Sequence, residues 1–252
     1  MTTMREGTRT VAASAQDLVK IYGRDEAEVR ALDGVSIELY AGEFTAVMGP
    51  SGSGKSTLMH CLAALDTPTS GEAYVDGTPL GQLKDKALTT LRREQIGFVF
   101  QAFNLVPTLT AEENITLPLA LAGRKPDPEW FDRVVDAVGL RDRLHHKPSE
   151  MSGGQQQRAA CARALVSQPS IVFADEPTGN LDSTSGAEVL GFLRRSVDDF
   201  GQTIVMVTHD PVAAAWTDRV VFLADGRIVE ELHDPDRDGI LEKMARLTPQ
   251  AG

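Results

Sequence analysis

The chain has 252 residues, enough for one large α/β domain, or a core with a smaller lobe, around a full hydrophobic interior. Hydrophobic residues make up 42% of it, and no apolar run approaches the roughly 18 residues that span a bilayer, so we expect a soluble protein without direct lipid insertion. The net charge of −11 argues against a sequence-independent grip on nucleic acid or anionic lipid, because either needs a basic face.

The N-terminus and the cysteines indicate residence in the cytoplasm. Residues 1–10 are polar and lead into no apolar segment of a signal peptide, so we predict a flexible tail. Cys61 and Cys161 both fall in predicted helices without C-x-x-C spacing, and they fit small buried residues better than a disulfide or a metal site.

A small antiparallel β lobe is predicted near the start of the chain. A short strand at residues 15–21 is followed by a polar insert, and then Val35, Ile37 and Leu39 alternate with more polar residues, which is the period-two pattern of a half-buried strand. Tyr22 ends the first strand and could stack on the adenine of a nucleotide, with packing as the alternative role.

A strand at residues 43–48 then leads through a glycine-rich loop into a helix at residues 55–65. The loop fits the pattern G-x-x-x-x-G-K-[ST], in which backbone amides, the helix dipole and a lysine hold phosphate while the hydroxyl of Ser56 binds Mg²⁺. An ordinary Gly/Ser turn does not explain a lysine and two hydroxyl residues after the last glycine. We predict that ATP phosphates are held by Gly49, Pro50, Ser51, Gly52, Ser53, Gly54, Lys55, Ser56 and Thr57.

A helical lobe is predicted to interrupt the core. A strand at residues 73–77 and a helix at residues 88–93 precede an apolar strand at residues 96–100, which ends on Gln101. From residue 111 to residue 140 the pattern becomes helical, with Asp127-Pro128 as N-cap and first turn and Gly139 beyond the end of one segment.

A second anion-binding helix start is predicted at Ser152-Gly153-Gly154-Gln155, in a segment that opens a helix running to about residue 167. There a hydroxyl and bare backbone amides face negative charge, although a plain N-cap is the alternative.

Two further strands end on polar side chains. The strand at residues 170–174 delivers Asp175 and Glu176, and the strand at residues 203–208 delivers His209. Ligands bind at the carboxyl ends of strands in an open α/β sheet, so Asp175 can hold Mg²⁺ through water and Glu176 can orient or deprotonate the attacking water. Gln101 and His209 can both point at a γ-phosphate, although each alone is a weak signal. A solvated turn is the alternative for the two acids, which the preceding phosphate loop disfavours.

The remaining segments complete the predicted domain. Asp182 and Ser183 cap a helix that runs to residue 200, and Asp225-Gly226 turns a hairpin over residues 220–231. We predict a tail at residues 1–10, a single domain at residues 11–232 and a C-terminal tail at residues 233–252. Within the domain, residues 11–101 and 165–232 form the β lobe and core, and residues 102–164 form the helical subdomain.

Together these motifs resemble the nucleotide-binding subunits of ABC transporters, whose signature reads Leu-Ser-Gly-Gly-Gln where this chain begins with Met151. The likeness covers Tyr22 to about Val229 in family order. It implies an α/β P-loop NTPase core with a mostly parallel sheet, an antiparallel β lobe and an inserted helical subdomain. It further implies ATP hydrolysis with Mg²⁺, a head-to-tail dimer of two copies around two ATP molecules, Gln101 as a metal ligand, and Asp182 as a nucleotide contact.

A narrower likeness points to the lipoprotein-release and macrolide-export branch, which has relatives in cell division. It rests on the segments 90–101, 103–105, 108–114 and 179–182 and on the acidic insert before Val29. The branch implies an integral-membrane permease with a large extracytoplasmic domain as partner, and thus a peripheral position at the inner face of the cell membrane. An ATP-gated switch that acts on a cell-wall hydrolase system, without cargo transport, is the alternative. A soluble ABC protein of DNA repair or translation is disfavoured, because those resemble tandem cassettes or carry long coiled-coil insertions.

The permease is predicted to dock on an apolar cluster just after Gln101. Apolar groups that are exposed together mark an interface, although they could instead fill the core of the helical lobe. The cluster consists of Phe103, Leu105, Val106, Pro107 and Leu109.

Overall fold

The computed structural model describes residues 9–23 and 27–247. Most of the predicted N-terminal tail, three residues of the polar insert (24–26) and the last five residues therefore lie outside the described residues.

The first sheet is antiparallel and has the strand order β2-β1-β4-β5. Ile37 of the second strand lies opposite Ala15 of the first, and Val35, Ile37 and Leu39 are all buried. The predicted alternation is confirmed, although the first strand is longer than predicted. The strands are β1 (Val11–Tyr22), β2 (Val29–Tyr40), β4 (Ser70–Val75) and β5 (Thr78–Pro79).

The second sheet is mostly parallel and has the strand order β10-β9-β3-β8-β7-β6. Only β10 pairs antiparallel, as the second strand of the predicted hairpin. The strands are β3 (Phe44–Met48), β6 (Ile96–Phe100), β7 (Ile171–Asp175), β8 (Ile204–Val207), β9 (Arg219–Ala224) and β10 (Arg227–His233).

Eight α-helices are assigned in the described part of the chain, and none of them is long and apolar enough to cross a membrane. The predicted cap residues hold: the Asp127 carboxylate accepts from two backbone amides, and Gly139 ends its helix with φ at +63°. The helices are α1 (Lys55–Leu62), α2 (Asp85–Gln95), α3 (Ala111–Leu121), α4 (Pro128–Val138), α5 (Gly153–Leu165), α6 (Ser183–Phe200), α7 (Pro211–Ala214) and α8 (Arg237–Leu247).

The parallel sheet lies between two apolar layers. Alternate residues of one strand enter different layers, as Ala46 and Met48 of β3 do on one face and Val47 on the other. Burial on both faces explains why the central strands read as continuous apolar runs. Both cysteines are buried in helices, Cys61 in α1 and Cys161 in α5. The two layers fix the sheet, and with it the edge at which the parallel strands end.

The segment predicted as a C-terminal tail, residues 233–252, contains a helix that the sequence analysis did not predict. The strand β10 continues to His233, and α8 follows it and packs on α7. Ile240 is fully buried, and Met244 and Leu247 pack against the same core. Their spacing of four and three residues places them on one helix face, a signal hidden among many polar residues.

Candidate nucleotide-binding site

The predicted site residues follow four neighbouring parallel strands. In the order β3, β8, β7, β6, the strands end on the glycine-rich loop, His209, Asp175 and Gln101. Their register brings the ends level, since Val207 pairs with both Val47 and Asp175, and Asp175 also pairs with Phe100. The sheet therefore gathers these groups along one edge, hereafter the carboxyl edge.

The glycine-rich loop is fitted tightly against its neighbours. Gly49 has φ at +151°, and a Cβ there would lie 1.9 Å from the carbonyl oxygen of Leu223. Gly54 has φ at +102°, and its Cβ would lie 2.2 Å from the carbonyl oxygen of Ala31. Any side chain would both strain the backbone and collide with backbone atoms, so glycine is required at both positions. The Gly226 amide also donates to the Ser53 carbonyl oxygen at 3.1 Å, which ties the loop to the β9–β10 turn.

The loop offers donors that suit phosphate. The Lys55 ammonium donates only to carbonyl oxygens in the described part of the chain, those of Gly49 at 3.0 Å and Pro50 at 2.7 Å. Burial lowers the pKa of Lys55, while Glu176 and Asp175 oppose that effect. The Ser53 hydroxyl is buried without a hydrogen-bond partner among the described residues, and no side chain caps α1. An anion would satisfy all three features at once.

Two oxygen ligands for Mg²⁺ come together beside this loop. The Ser56 hydroxyl lies 3.5 Å from a carboxylate oxygen of Asp175. Burial raises the pKa of Asp175, and His60, in the last turn of α1, opposes that effect. A hydroxyl and a carboxylate are hard oxygen donors of the kind Mg²⁺ prefers, so the residues fit the ion.

Glu176 and His209 form a pair that sequence analysis placed at the same edge but did not predict to touch. The His209 Nδ1 and the Glu176 Oε1 lie 2.9 Å apart, and both line an open cleft of about 390 Å³. Glu176 also has φ at +45°, a left-handed conformation that is rare for residues other than glycine, asparagine or aspartate. The backbone is therefore strained at the residue whose side chain lines the cleft.

Gln101 is held by a residue to which sequence analysis gave no role in the site. Its side-chain amide donates to Asn180 at 3.1 Å, and Asn180 donates back to the Gln101 carbonyl oxygen at 3.0 Å. Gln101 is therefore hydrogen-bonded to Asn180 in the loop after β7, and not to Ser56 or Asp175. Its role as a metal ligand stays a prediction.

Gln157 is a second residue that sequence analysis missed. It lies on α5 and is fully buried, and its amide donates to the carbonyl oxygens of Phe100 at 3.1 Å and Pro177 at 2.6 Å. Phe100 precedes Gln101, and Pro177 follows Glu176. The Gln157 side chain therefore joins α5 to the two segments that carry Gln101 and Glu176. In the sequence, only its position just after the signature could have indicated this role.

Tyr22 lies at the end of β1 with its side chain partly exposed. Its hydroxyl donates to Asp66 at 2.6 Å, and Val29 pairs directly opposite it on β2. Tyr22 is 41% exposed and Val29 is 61% exposed, so the pair is not part of the core. This argues against the alternative of a packing role.

The signature helix begins with a capping box. The Ser152 hydroxyl accepts from the Gln155 amide at 3.2 Å, and the Gln155 side chain accepts from the Ser152 amide at 2.9 Å. Asp182 similarly caps α6, accepting from the amides of Thr184 and Ser185, and these hydrogen bonds lower its pKa. The cap role is thus observed for both, and the nucleotide contacts stay predictions.

The fold and the carboxyl edge together define a P-loop ATPase with an antiparallel β lobe and a helical insert. The sequence profile described as ABC transporter matches residues 32–179. The chain belongs to this family, and it is an ATP-binding cassette whose family hydrolyses ATP with Mg²⁺.

Relatives sharpen this assignment. The chain is 44% identical over 224 residues to the bacitracin export ATP-binding protein BceA of Halalkalibacterium halodurans, covering 88% of each chain. It is 44% identical over 218 residues to the macrolide export ATP-binding/permease protein MacB of Marinobacter nauticus, covering 86% of this chain but only 34% of that longer protein. A dimeric structure of the cassette MJ0796 of Methanocaldococcus jannaschii, bound to ADP and Pi, matches with a TM-score of 0.79 and 40% identity. That match covers 89% of this chain and 99% of the other. The predicted branch is confirmed by these relatives.

Proposed function

We propose that the chain hydrolyses ATP as a head-to-tail dimer around two Mg-ATP and thereby drives an integral-membrane permease of the efflux or extraction type. The observation that carries the proposal is the convergence of the phosphate loop, Asp175, Glu176 and His209 at the carboxyl edge. The similarity to the bacitracin export protein BceA and the macrolide export protein MacB supports export as the direction. On this proposal the chain sits at the cytoplasmic face of the membrane, held there by the permease.

Each group at the carboxyl edge has a defined task in this reaction. Lys55 and the amides of the loop bind the phosphates, while Ser56 and Asp175 hold Mg²⁺, which when bound neutralises phosphate charge. His209 engages one oxygen of Glu176, which leaves the other oxygen free to accept a proton from the attacking water. His209 is therefore the residue that orients the base on this proposal.

The signature completes the site only in a dimer. Ser152 and Gln155 cap α5 within their own chain, and on this proposal the phosphate that this helix start meets is bound to the partner chain. In a two-fold dimer, Lys55 of one chain and Ser152-Gly153-Gly154 of its partner enclose each ATP. The dimer of MJ0796 with ADP and Pi supports this arrangement.

The permease is expected to dock in a cleft of about 330 Å³ between α2, β6, α3 and α5. Stacked rings of Phe98 and Phe100 give the cleft an apolar floor, and Arg92, Arg93 and Arg163 make it cationic. The Arg93 Nε is buried without a partner among the described residues. An amphipathic segment with acidic side chains would fit this surface. The docking cluster predicted from sequence lies beside this cleft. Its residues Val106 and Pro107 are exposed, whereas Leu105 is partly buried against the core, and docking on the cluster stays a prediction.

Glu176→Gln tests the hydrolytic assignment. The variant should bind ATP normally but lose turnover by about 10²–10⁴-fold, because the amide cannot accept the proton. Light scattering should then show dimers that depend on ATP. The matched control is Glu242→Gln on α8, which should keep full activity. Loss of ATP binding in Glu176→Gln, or a monomer at saturating Mg-ATP, would contradict the proposal.

Arg93→Glu tests the docking cleft. The reversed charge should reduce recovery of the purified subunit on membranes that contain the permease, while ATP binding is unchanged. Arg246→Glu on α8 is the matched control, and equal recovery of the two variants would place docking elsewhere.

In proteoliposomes with the permease, hydrolysis without cargo movement would contradict the transport role.

A further inference from the structure

The side chain of Tyr22 is held by two residues, Lys20 and Asp66, and the three together are hereafter the tyrosine clamp. The Asp66 carboxylate uses both oxygens, accepting from the Tyr22 hydroxyl at 2.6 Å on one and from the Lys20 ammonium at 2.6 Å on the other. Lys20 also donates to the Thr67 carbonyl oxygen at 2.7 Å. The hydroxyl end of the ring is therefore fixed in place.

The flat faces of the ring are not equivalent. The Lys20 ammonium lies 4.8 Å from the centroid of the Tyr22 ring, in the geometry of a cation–π contact. The Lys20 side chain is only 12% exposed, so it has little room to move. Any movement away from the ring would also break its ion pair with Asp66. One ring face is thus occupied by the chain, and only the other can accept a flat ligand.

The backbone around the clamp is also fixed. The Thr69 amide donates to the Val19 carbonyl oxygen at 2.8 Å, and the Thr69 hydroxyl accepts from the Ile21 amide at 3.0 Å. These bonds attach the loop that follows α1 to the last residues of β1. Since α1 begins at the phosphate loop, the clamp connects the position of the ring to the element that holds the phosphates.

The protonation states of Tyr22 and Asp66 fit the hydrogen bond between them. Burial alone raises the pKa of Asp66, but hydrogen bonds from Lys20, Tyr22 and the Thr67 amide, together with the charge of Lys20, lower the pKa below its ordinary value. Burial also raises the pKa of Tyr22, and the hydrogen bond to Asp66 adds to this. The tyrosine therefore remains a hydroxyl donor and Asp66 an acceptor.

We propose that Asp66 and Lys20 are positioning residues that orient the Tyr22 ring for the adenine of ATP and so set affinity for the base rather than for the triphosphate. The inference rests on the proposed function, because it requires phosphates bound at Lys55 and adenine on Tyr22. A ring held in place before binding loses less freedom when the base stacks on it. Loss of the clamp should therefore weaken base binding while the phosphate loop keeps its full affinity.

The test compares a ligand with a base and one without. Dissociation constants of Mg-ATP and of inorganic tripolyphosphate with Mg²⁺ are measured by calorimetry on the full chain. Tyr22→Ala should weaken ATP binding by about 5- to 150-fold, the range expected for lost base stacking. Asp66→Ala and Lys20→Met should each weaken it by about 2- to 10-fold, as expected for one side chain that must be ordered on binding. None of the three should change tripolyphosphate affinity.

Two further variants exclude a general effect on the fold. Asp66→Asn keeps an acceptor for the tyrosine hydroxyl, so it should recover part of the lost ATP affinity. Asp132→Ala removes an ion-paired carboxylate on the helical lobe and should change neither affinity.

The outcomes separate the inference from the proposed function. Equal weakening of ATP and tripolyphosphate in Asp66→Ala would show an effect on the whole site and overturn the inference. Lost affinity in Tyr22→Ala with unchanged affinity in both Asp66→Ala and Lys20→Met would overturn the inference and leave the base contact intact. Unchanged ATP affinity in Tyr22→Ala would overturn the base contact and the inference together. Failure of the unaltered chain to bind either ligand would instead contradict the proposed function.

Discussion

Helices α1 and α5 both begin where a phosphate is predicted to bind, but their first turns differ. The start of α1 is Gly54 in a left-handed conformation, with no side-chain cap. The start of α5 is Ser152 in an extended conformation, with a complete capping box. The first amides of α1 therefore have no side-chain acceptor and are available to an external anion. At the start of α5, the Ser152 hydroxyl already accepts a hydrogen bond from one of the first amides.

The difference fits the proposed order of contacts, in which the phosphate loop binds nucleotide first and the signature contacts it afterwards. The Lys55 ammonium, the Ser53 hydroxyl and the uncapped first turn of α1 all belong to one chain, so we expect a single chain to bind nucleotide. The signature has no lysine in its first turn and presents only the amides that the box leaves over. It suits a second contact made after the nucleotide is already bound, as in a dimer.

The largest effect is expected for Gly54→Ala, which attacks the shape of the α1 start. The methyl group would lie 2.2 Å from the Ala31 carbonyl oxygen, and φ at +102° is strained for alanine. We expect ATP binding to be lost and the free energy of unfolding to fall by at least about 1–3 kcal/mol. Gly77→Ala is the control, since Gly77 has φ at +70° with open space around it. Similar ATP binding in the two variants would contradict the tight fit of the loop.

Lys55→Ala removes the charge from the α1 start and keeps the loop's shape. We expect ATP affinity to fall by about 10- to 150-fold, because hydrogen bonds to a charged group contribute about 1.5–3 kcal/mol. Calorimetry with Mg-ATP measures this change, and Lys243→Ala on α8 serves as the control. Unchanged affinity in Lys55→Ala would show that the amides alone hold the phosphates.

Ser152→Ala tests the capped start of α5 and should have a smaller effect on stability. Loss of the cap should lower the free energy of unfolding by about 1 kcal/mol. Affinity of the single chain for ATP should not change, whereas ATP-dependent dimerisation should weaken. Thr110→Ala provides a close comparison, because Thr110 and Glu113 form the same capping box on α3. If both variants weaken dimerisation equally, the effect of Ser152 is only that of a cap.

The smallest effect concerns the cysteines, one in each helix. Burial raises the pKa of Cys61 to about 11 and that of Cys161 to about 12. Below pH 9 both thiols should stay protonated, and iodoacetamide should label neither in the folded chain. Labelling should become complete in urea. The free energy of unfolding should fall as pH rises from about 9, the thiol pKa of the unfolded chain, toward 11–12, because only the unfolded chain ionises its thiols in that range. Rapid labelling of either thiol at pH 8 would contradict its burial.

The strand ends could be predicted because their signals are local. Where an apolar run ends at Asp175, Glu176 or His209, the sequence alone predicts that the polar side chain lies at the edge of a sheet. The same holds for the caps at Asp127 and Asp182, where the residue and its amide donors are two or three positions apart.

The partners of these groups could not be predicted in this way. Asn180 meets Gln101 across 79 positions, and Gln157 meets Phe100 across 57. Such contacts depend on how loops and helices lie in three dimensions, and no period in the sequence encodes them. Similarly, α8 is formed by a few apolar residues in a polar segment, where packing on α7 rather than composition decides the structure.

The left-handed backbone of Glu176 has a consequence for the evolution of the chain. Such a conformation costs an ordinary residue about 1–2 kcal/mol relative to its usual helical one, and glycine would relieve that cost. Selection of a variant library for heat resistance alone should therefore enrich glycine at position 176, and the chains that carry it should be inactive. If Glu176 is the base proposed above, retention of glutamate requires selection for turnover, and stability and activity are in conflict at this position.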